Sequence, residues 1–211
     1  MQLKTILNFV ERQPGFVYGP VHWLENERGS GIEVELIPRR NSRPICSGCG
    51  SRCAGYDRLE SRRFEFVPLW GLAVFFVYAL RRVNCARCGV VVERVPWTSG
   101  KHRQTKSYRM FLATWAKRLS WQEVADVFGT SWDSVYRAIR WVVLWGIAHQ
   151  ELGSVESIGI DETQYRRGHK YLTLVYQLDA GMRRLLYVGE NRTEASLQGF
   201  FQVLDAKTRA G

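Results

Sequence analysis

Cys46-Ser-Gly-Cys49-Gly50 and Cys85-Ala-Arg-Cys88-Gly89 decide how this chain is read. A Cys-x-x-Cys clamp presents two thiolates from one tight turn, and two clamps complete a tetrahedral four-sulfur zinc site. The glycine after each pair suits a turn of positive φ, which leaves backbone N–H groups free to point at the sulfurs. The 35 residues between Cys49 and Cys85 give room for a small β-sheet. Paired thiol–disulfide motifs are the competing reading, but neither clamp sits in a βαβ pattern. Cys53, the fifth cysteine, reads as a small buried residue or spare thiol, because two pairs already satisfy the metal.

Between the clamps, Arg62-Arg-Phe-Glu-Phe-Val67 and Ala73 to Val83 read as strands joined by Pro68-Leu-Trp-Gly71. Strands hung from a metal make a zinc ribbon over residues 41–97, with the ion replacing the core so small a module cannot build. Arg58, Arg62, Arg63, Arg81, Arg82 and Arg87 give the ribbon a basic surface, although each alone also reads as a solvated strand position. Upstream, residues 1–40 read as a helix from Leu3 to Arg12, a break at Pro14-Gly15 and a hairpin. Its turn lies near Asn26 to Gly31, before the alternating Ile32-Glu-Val-Glu-Leu-Ile37.

Downstream, residues 98–152 open on a basic, helix-free connector from Thr98 to Lys106. Tyr108 to Leu119 then carries Phe111, Leu112, Trp115 and Leu119 at helical spacing. Ser120 with Glu123 forms a capping box for a helix from Gln122 to Phe128 that ends at Gly129. Thr130 caps a third helix, with Asp133 in the matching position and Val135, Ile139, Val142 and Val143 as its buried stripe. A short helix, a glycine turn and a longer helix make a helix-turn-helix; an ordinary helical hairpin competes. Base and phosphate contacts would come from Ser131, Trp132, Ser134, Arg137 and Arg140, with Lys101, Arg103 and Lys106 of the connector.

Residues 153–211 change to strands. Ser157-Ile-Gly-Ile-Asp161-Glu162 ends one strand on a carboxylate, and Gly168 to Leu178 forms the next. Asp179-Ala-Gly181 turns the chain into a third strand, Arg184 to Gly189. Thr193 caps a helix with Leu197, Phe200, Phe201 and Leu204 on one face. Gly159 shares a face with Asp161 and would leave room beside a metal. The expected fold class is therefore multidomain α+β: an N-terminal four-cysteine zinc ribbon, a helix-turn-helix, and the first three strands and helix of a ribonuclease-H-like α/β domain.

Composition agrees. Thirty Lys+Arg against twenty Asp+Glu leave +10, which favours a polyanionic partner. The most apolar run, Leu72 to Leu80, stops at Arg81-Arg82 and is too short to span a bilayer. Met1-Gln-Leu-Lys lacks the apolar core of a secretion signal, and metal-type cysteines without export indicate the cytoplasm.

The order Cys-x-x-Cys-Gly, Pro68-Leu-Trp-Gly71, Cys-x-x-Cys-Gly, helix-turn-helix, Gly159-Ile-Asp161-Glu162 and Arg167-Gly-His169-Lys-Tyr171 resembles a known family. It is similar to the N-terminal half of the ISL-three family of bacterial insertion-sequence transposases, in the Asp-Asp-Glu superfamily, from about residue 40 onward. The resemblance implies that ribbon and helix-turn-helix bind double-stranded DNA at terminal inverted repeats. It implies structural Zn²⁺ and, in a complete domain, catalytic Mg²⁺ with Asp161 as the first of three acidic ligands. It places the protein in the bacterial cytoplasm, at the nucleoid, and leaves a homodimer open. Two-metal sites need several carboxylates around ions about 4 Å apart. The family's second Asp and final Glu belong beyond residue 211, and Asp179, Glu190, Glu194 and Asp205 do not replace them. The expectation is a truncated transposase that binds DNA, lacks strand transfer, and has a poorly stable or associating segment from 155 to 211. Glu162 receives no role, and His169 reads equally as a phosphate contact or as packing on Tyr171. A stand-alone zinc-dependent regulator, an inert remnant, and a redox or zinc-storage protein using Cys53 are the alternatives.

Overall fold

The computed structural model describes residues 2–26, 29–150 and 152–209. Its elements are α1 (Leu3–Val10), β1 (Phe16–Asn26), β2 (Gly29–Pro38), β3 (Ile45–Cys46), β4 (Ala54–Leu69), β5 (Leu72–Cys85) and β6 (Gly89–Arg94). They are followed by α2 (Lys106–Trp115), α3 (Trp121–Val127), α4 (Trp132–Ala148), β7 (Ile158–Arg166), β8 (Lys170–Gln177), β9 (Arg184–Glu190) and α5 (Glu194–Arg209). The chain is α+β and divides after Trp145 into two units. Among the described residues no helix is long and apolar enough to cross a membrane. The expected turn at Asn26 to Gly31 lies partly outside the described residues, as do the Asp205 side chain and Gly211.

β5 organises the first unit. Val74, Phe76, Tyr78 and Leu80 alternate inward, the period of a strand with one buried face. β4 pairs with it antiparallel through Trp70 and Gly71, whose φ values of 51° and 81° make the primed two-residue turn that matches strand twist. The other edge of β5 is shared. β2 lies parallel to it, Gly31–Glu35 against Ala73–Val77, and β6 lies antiparallel beside Arg82–Cys85. The result is a mixed sheet in the order β1-β2-β5-β6-β3, with β4 on the far side of β5. Residues before 40 thus contribute strands to the sheet that carries the cysteines, and Leu7, Phe16 and Tyr18 enter one core with Phe64, Phe76 and Trp97. Phe16, Phe64 and Tyr78 meet Trp97 edge-on at 4.9, 5.9 and 5.3 Å, the favoured aromatic arrangement.

Between its stretches beside β2 and β6, β5 has no described strand next to Tyr78–Arg81 on that edge. Glu93 closes the gap. Its carboxylate accepts from the Tyr78 hydroxyl at 2.6 Å, the Arg81 backbone N–H at 2.8 Å and the Arg81 guanidinium at 2.7 Å. The Glu93 side chain is 1% exposed and that of Arg81 12%, so each charge is held by a partner rather than by water. Burial, reinforced by the Glu93 carboxylate, pushes the Tyr78 phenol above its usual range.

The connector expected at 98–106 is pinned to β4: the Glu65 N–H donates to the Arg103 carbonyl at 2.7 Å and the Thr105 N–H to the Glu65 carbonyl at 2.9 Å. Thr105 caps α2 by accepting from the Tyr108 N–H at 3.2 Å, so that helix starts earlier than apolar spacing alone predicts. α2, α3 and α4 pack around Tyr108, Leu112, Val124, Ala125, Val135 and Ala138. Ser120 and Glu123 form the expected capping box. Ser131, not Thr130, caps α4, because its Oγ accepts from the Ser134 N–H at 3.2 Å. Val143 is 50% exposed rather than part of the buried stripe, since the 17-residue α4 outruns the shorter helices it packs against.

In the second unit β7, β8 and β9 form an antiparallel meander and α5 lies over β8 and β9. Phe200, 1% exposed, inserts beside Tyr187 at 6.0 Å. Phe201 is 46% exposed and leaves the apolar face assigned to it. The strand expected to end at Asp161 continues to Arg166, carried by pairing with β8 through the Gly168-His169 turn. Asp161 therefore lies in mid-strand.

Candidate metal centre and nucleic-acid interface

β3 pairs with β6, which brings the first cysteine turn against the second. The sulfurs of Cys46, Cys49, Cys85 and Cys88 all lie within 4.8 Å of one another, with Cys49 and Cys85 at 3.5 Å. A zinc ion at about 2.3 Å from each sulfur needs sulfurs about 3.8 Å apart, so the set fits a tetrahedral metal after a small contraction. Gly50 and Gly89 have φ of 76° and 71°, as the motif requires, and the Gly50 N–H donates to the Cys46 carbonyl at 3.0 Å.

The electrostatics suit a cation. The Ser51 hydroxyl and N–H draw the Cys49 thiol down to about 6. The backbone N–H groups of Arg87 and Cys88 lower Cys85, whereas Cys49, followed by Cys46, pushes Cys88 up to about 12. Adjacent sulfurs cannot all ionise until a positive charge sits among them. None of the five cysteines is in a disulfide. Cys53 packs half-buried against the cluster, its Sγ donating to the Ser51 carbonyl at 3.5 Å, and burial pushes it up to about 11.

The helical segment exposes Ser131, Trp132, Arg137 and Arg140 from the start of α4 and half-exposes Ser134. Ser131 and Ser134 spend their hydroxyls on each other at 3.0 Å as part of the cap, and Arg137 bonds Asp133 one turn earlier. Lys101, Arg103 and Lys106 are exposed. His102 between them lies close enough to Arg109 and Arg137 for their charges to lower it, after burial as the main cause. The connector borders α4 through Arg109, whose Nη2 donates to the Gln104 carbonyl at 3.3 Å while its guanidinium lies over Trp141. Sequence reading missed two features here. Arg109 is 1% exposed, with its guanidinium 5.0 Å over the Trp141 ring. Trp121, Trp132 and Tyr136 form an aromatic cluster at 5.4 to 5.7 Å, signalled only by the i, i+4 spacing of Trp132 and Tyr136.

Asp161 is exposed opposite Leu174, and its Oδ1 accepts from the Glu162 N–H at 2.8 Å. Glu162 lies opposite buried Thr173, so the two carboxylates leave on opposite faces. The space expected at Gly159 is taken: a Cβ there would stand 2.7 Å from Leu178 Cδ1. Among the described residues the four cysteines are the one group of three or more His, Cys, Asp or Glu side chains close enough to hold a metal, so Asp161 belongs to no such group. Asp179 is occupied in binding the Ser157 N–H at 2.7 Å and the Glu156 N–H at 3.3 Å. His169, at φ 57° in the hairpin turn, stacks on Tyr171 at 6.4 Å.

Two segments of the chain match the domains of a known family. Residues 93–143 match the helix-turn-helix domain of transposase family ISL3, and residues 158–211 match a transposase domain of the same family. A transposase for insertion sequence element IS1557 from Mycobacterium tuberculosis is 30% identical over 196 residues, 90% of this chain and 43% of that protein. A transposase for insertion sequence element IS1001 from Bordetella parapertussis is 25% identical over 191 residues, 90% of this chain and 46% of that protein. The chain thus spans less than half the length of these relatives. No solved structure matches.

Proposed function

Because the chain belongs to the ISL3 family of insertion-sequence transposases, we propose that it recognises the terminal inverted repeats of a mobile element as duplex DNA. In this reading α4 enters the major groove, with Trp132, Arg137 and Arg140 reaching base edges and Lys101, Arg103 and Lys106 holding phosphates. Cys46, Cys49, Cys85 and Cys88 hold a structural Zn²⁺ that fixes the turns of a ribbon domain over 41–97, beside a DNA-binding domain over 98–152. Residues 153–211 contribute to a ribonuclease-H-like domain. There Asp161 supplies one carboxylate of a Mg²⁺ site, which the described residues do not complete, since Asp161 belongs to no group of three or more ligating side chains among them. Bound Mg²⁺ would activate the attacking oxygen and stabilise the leaving one.

The observation that supports this reading best is that the segment matching the family's helix-turn-helix exposes arginines on the first turns of its longest helix. The transposase match over 158–211 weighs against a stand-alone regulator. The test is fluorescence anisotropy on duplexes carrying the element's own ends and on scrambled duplexes. We expect the ends to bind about a thousandfold or more tighter. Equal affinity for both would reduce the protein to general nucleic-acid adhesion.

A further inference from the structure

Three arginines that the sequence assigns to a basic surface are already neutralised, Arg63 by Glu33, Arg81 by Glu93 and Arg82 by Asp57. The free positive charge lies elsewhere. Where β2 ends and β5 lacks a neighbour, a depression of about 500 Å³ is lined by Arg39, Arg40 and Arg58, with Ser42 and Ser61 on its wall. A second depression of about 440 Å³ shares Arg39, Ser42 and Arg81 with the first and adds Arg43, Arg52 and Lys106. The shared residues place the two depressions side by side, and together they form a basic groove. Lys106 is the first residue of α2, so the groove runs from the sheet to the helical segment within one unit.

The six cations Arg39, Arg40, Arg43, Arg52, Arg58 and Lys106 are all exposed. None of their side chains has an ion-pair or hydrogen-bond partner among the described residues. Arg94, also in the lining, donates to the Ser47 carbonyl at 3.4 Å. The carboxylates nearby offset little of this charge, with Glu35 alone set against six cations. Glu35 faces His22 at 3.2 Å, and Glu93 is consumed by Arg81 and Tyr78. A single small anion would leave most of these cations unused. A phosphodiester backbone offers negative charges in regular series along a track.

We propose that this groove is a second contact for duplex DNA, separate from α4, which grips the phosphate backbone without reading its sequence. The proposal rests on the reading of the chain as a DNA-binding protein. The sequence singled out Arg58 and Lys106, and the structure joins them to Arg39, Arg40, Arg43 and Arg52, which the sequence did not single out. Its cost of formation is small because the cations are already unpaired, and its signature is electrostatic.

The test compares the whole chain with Arg39→Ala/Arg40→Ala/Arg58→Ala and with the charge-preserving Arg39→Lys/Arg40→Lys/Arg58→Lys. Both are assayed by anisotropy on random-sequence and element-end duplexes across a salt series, after metal content and thermal melting have shown each variant folded. The alanine variant should weaken both duplexes equally, about tenfold or more, and lower the slope of log affinity against log salt by about 2 to 3. The lysine variant should keep the wild-type slope. An unchanged slope in the alanine variant, or a loss confined to the end sequence, would overturn the groove. If the wild type grips both duplexes equally through these arginines, the groove stands and end recognition falls. If it binds no duplex even at low salt, both fall.

Discussion

Arg137 is held before it meets anything: its guanidinium bonds Asp133 one helical turn back, on the exposed start of α4. That pairing orients the side chain at little energetic gain, because exposed pairs of this kind contribute only about 0.3–0.5 kcal/mol. Arg137→Ala should therefore leave the melting temperature nearly unchanged. It should weaken binding to the element's ends by about 1–3 kcal/mol with relaxed preference at one base position, read by competition between single-base variants. A uniform loss over all sequences would mean a phosphate contact instead. Cys88→Ser, at the exposed corner of the cysteine cluster, should remove bound metal, measured as metal per chain by atomic emission. Cys53→Ser should leave that ratio unchanged. The four ligands were legible because metal-clamp spacing is local. The partner of Arg81 was not, because Glu93 reaches it only through the pairing of β5 with β6.

At the scale of elements, local signals held where a hydrogen bond closes within a few residues and failed where packing across the chain decides. The capping box at Ser120 was readable, and Ser120→Ala should cost about 1 kcal/mol in a urea melt. The cap of α4 shifted by one residue, since Thr130 and Ser131 are both competent and only geometry chooses. β7 outran its expected end because its length depends on the register of β8, which no property of Asp161 announces. Glu93 is the most consequential residue of the sheet. Glu93→Ala would strand the Arg81 guanidinium in a gap between strands and should cost about 3–5 kcal/mol. The Asp179 strap gives the second unit a pH dependence. Gln177, followed by the N–H groups of Ser157 and Glu156, holds Asp179 down at about 2. A depressed carboxylate stabilises fully above its unfolded value near 4, and the contribution is lost as pH falls from about 4 to about 2. Asp179→Asn should remove that part of the acid transition, followed by circular dichroism.

For the whole molecule, the reading of a metal replacing a core needs revision. Val74, Phe76, Tyr78 and Leu80 belong to an aromatic core with Trp97, while Val83 and Cys85 belong to the cysteine cluster, and Arg81-Arg82 separate the two runs. One strand thus serves two clusters. Chelation should release the cysteine turns and leave the Trp97 core folded. Hydrogen exchange should then show lost protection around 46–53 and 83–94, with protection kept at 74–78; loss at both would mean that the metal supports the entire sheet. The α+β class and the helical segment were legible because amphipathic period and caps are written locally. The sheet joining residues 16–38 to the cysteine-bearing strands was not, since parallel neighbours leave no turn signal between them.

The parallel contact between β2 and β5 also sets an order in time. On a ribosome, the β1–β2 hairpin emerges well before the strand it must lie beside. β4 and β5 can close at once through their Trp70-Gly71 turn, but Gly31–Glu35, paired with β1 on one side, has to wait with its other edge unpaired. Docking of the early hairpin onto the finished late one is then the slow event of refolding, because long-range pairing must close a large loop before it is rewarded. A nascent chain halted before Leu72 would present that bare edge to its neighbours and aggregate, while one released just beyond Cys85 would find its seat.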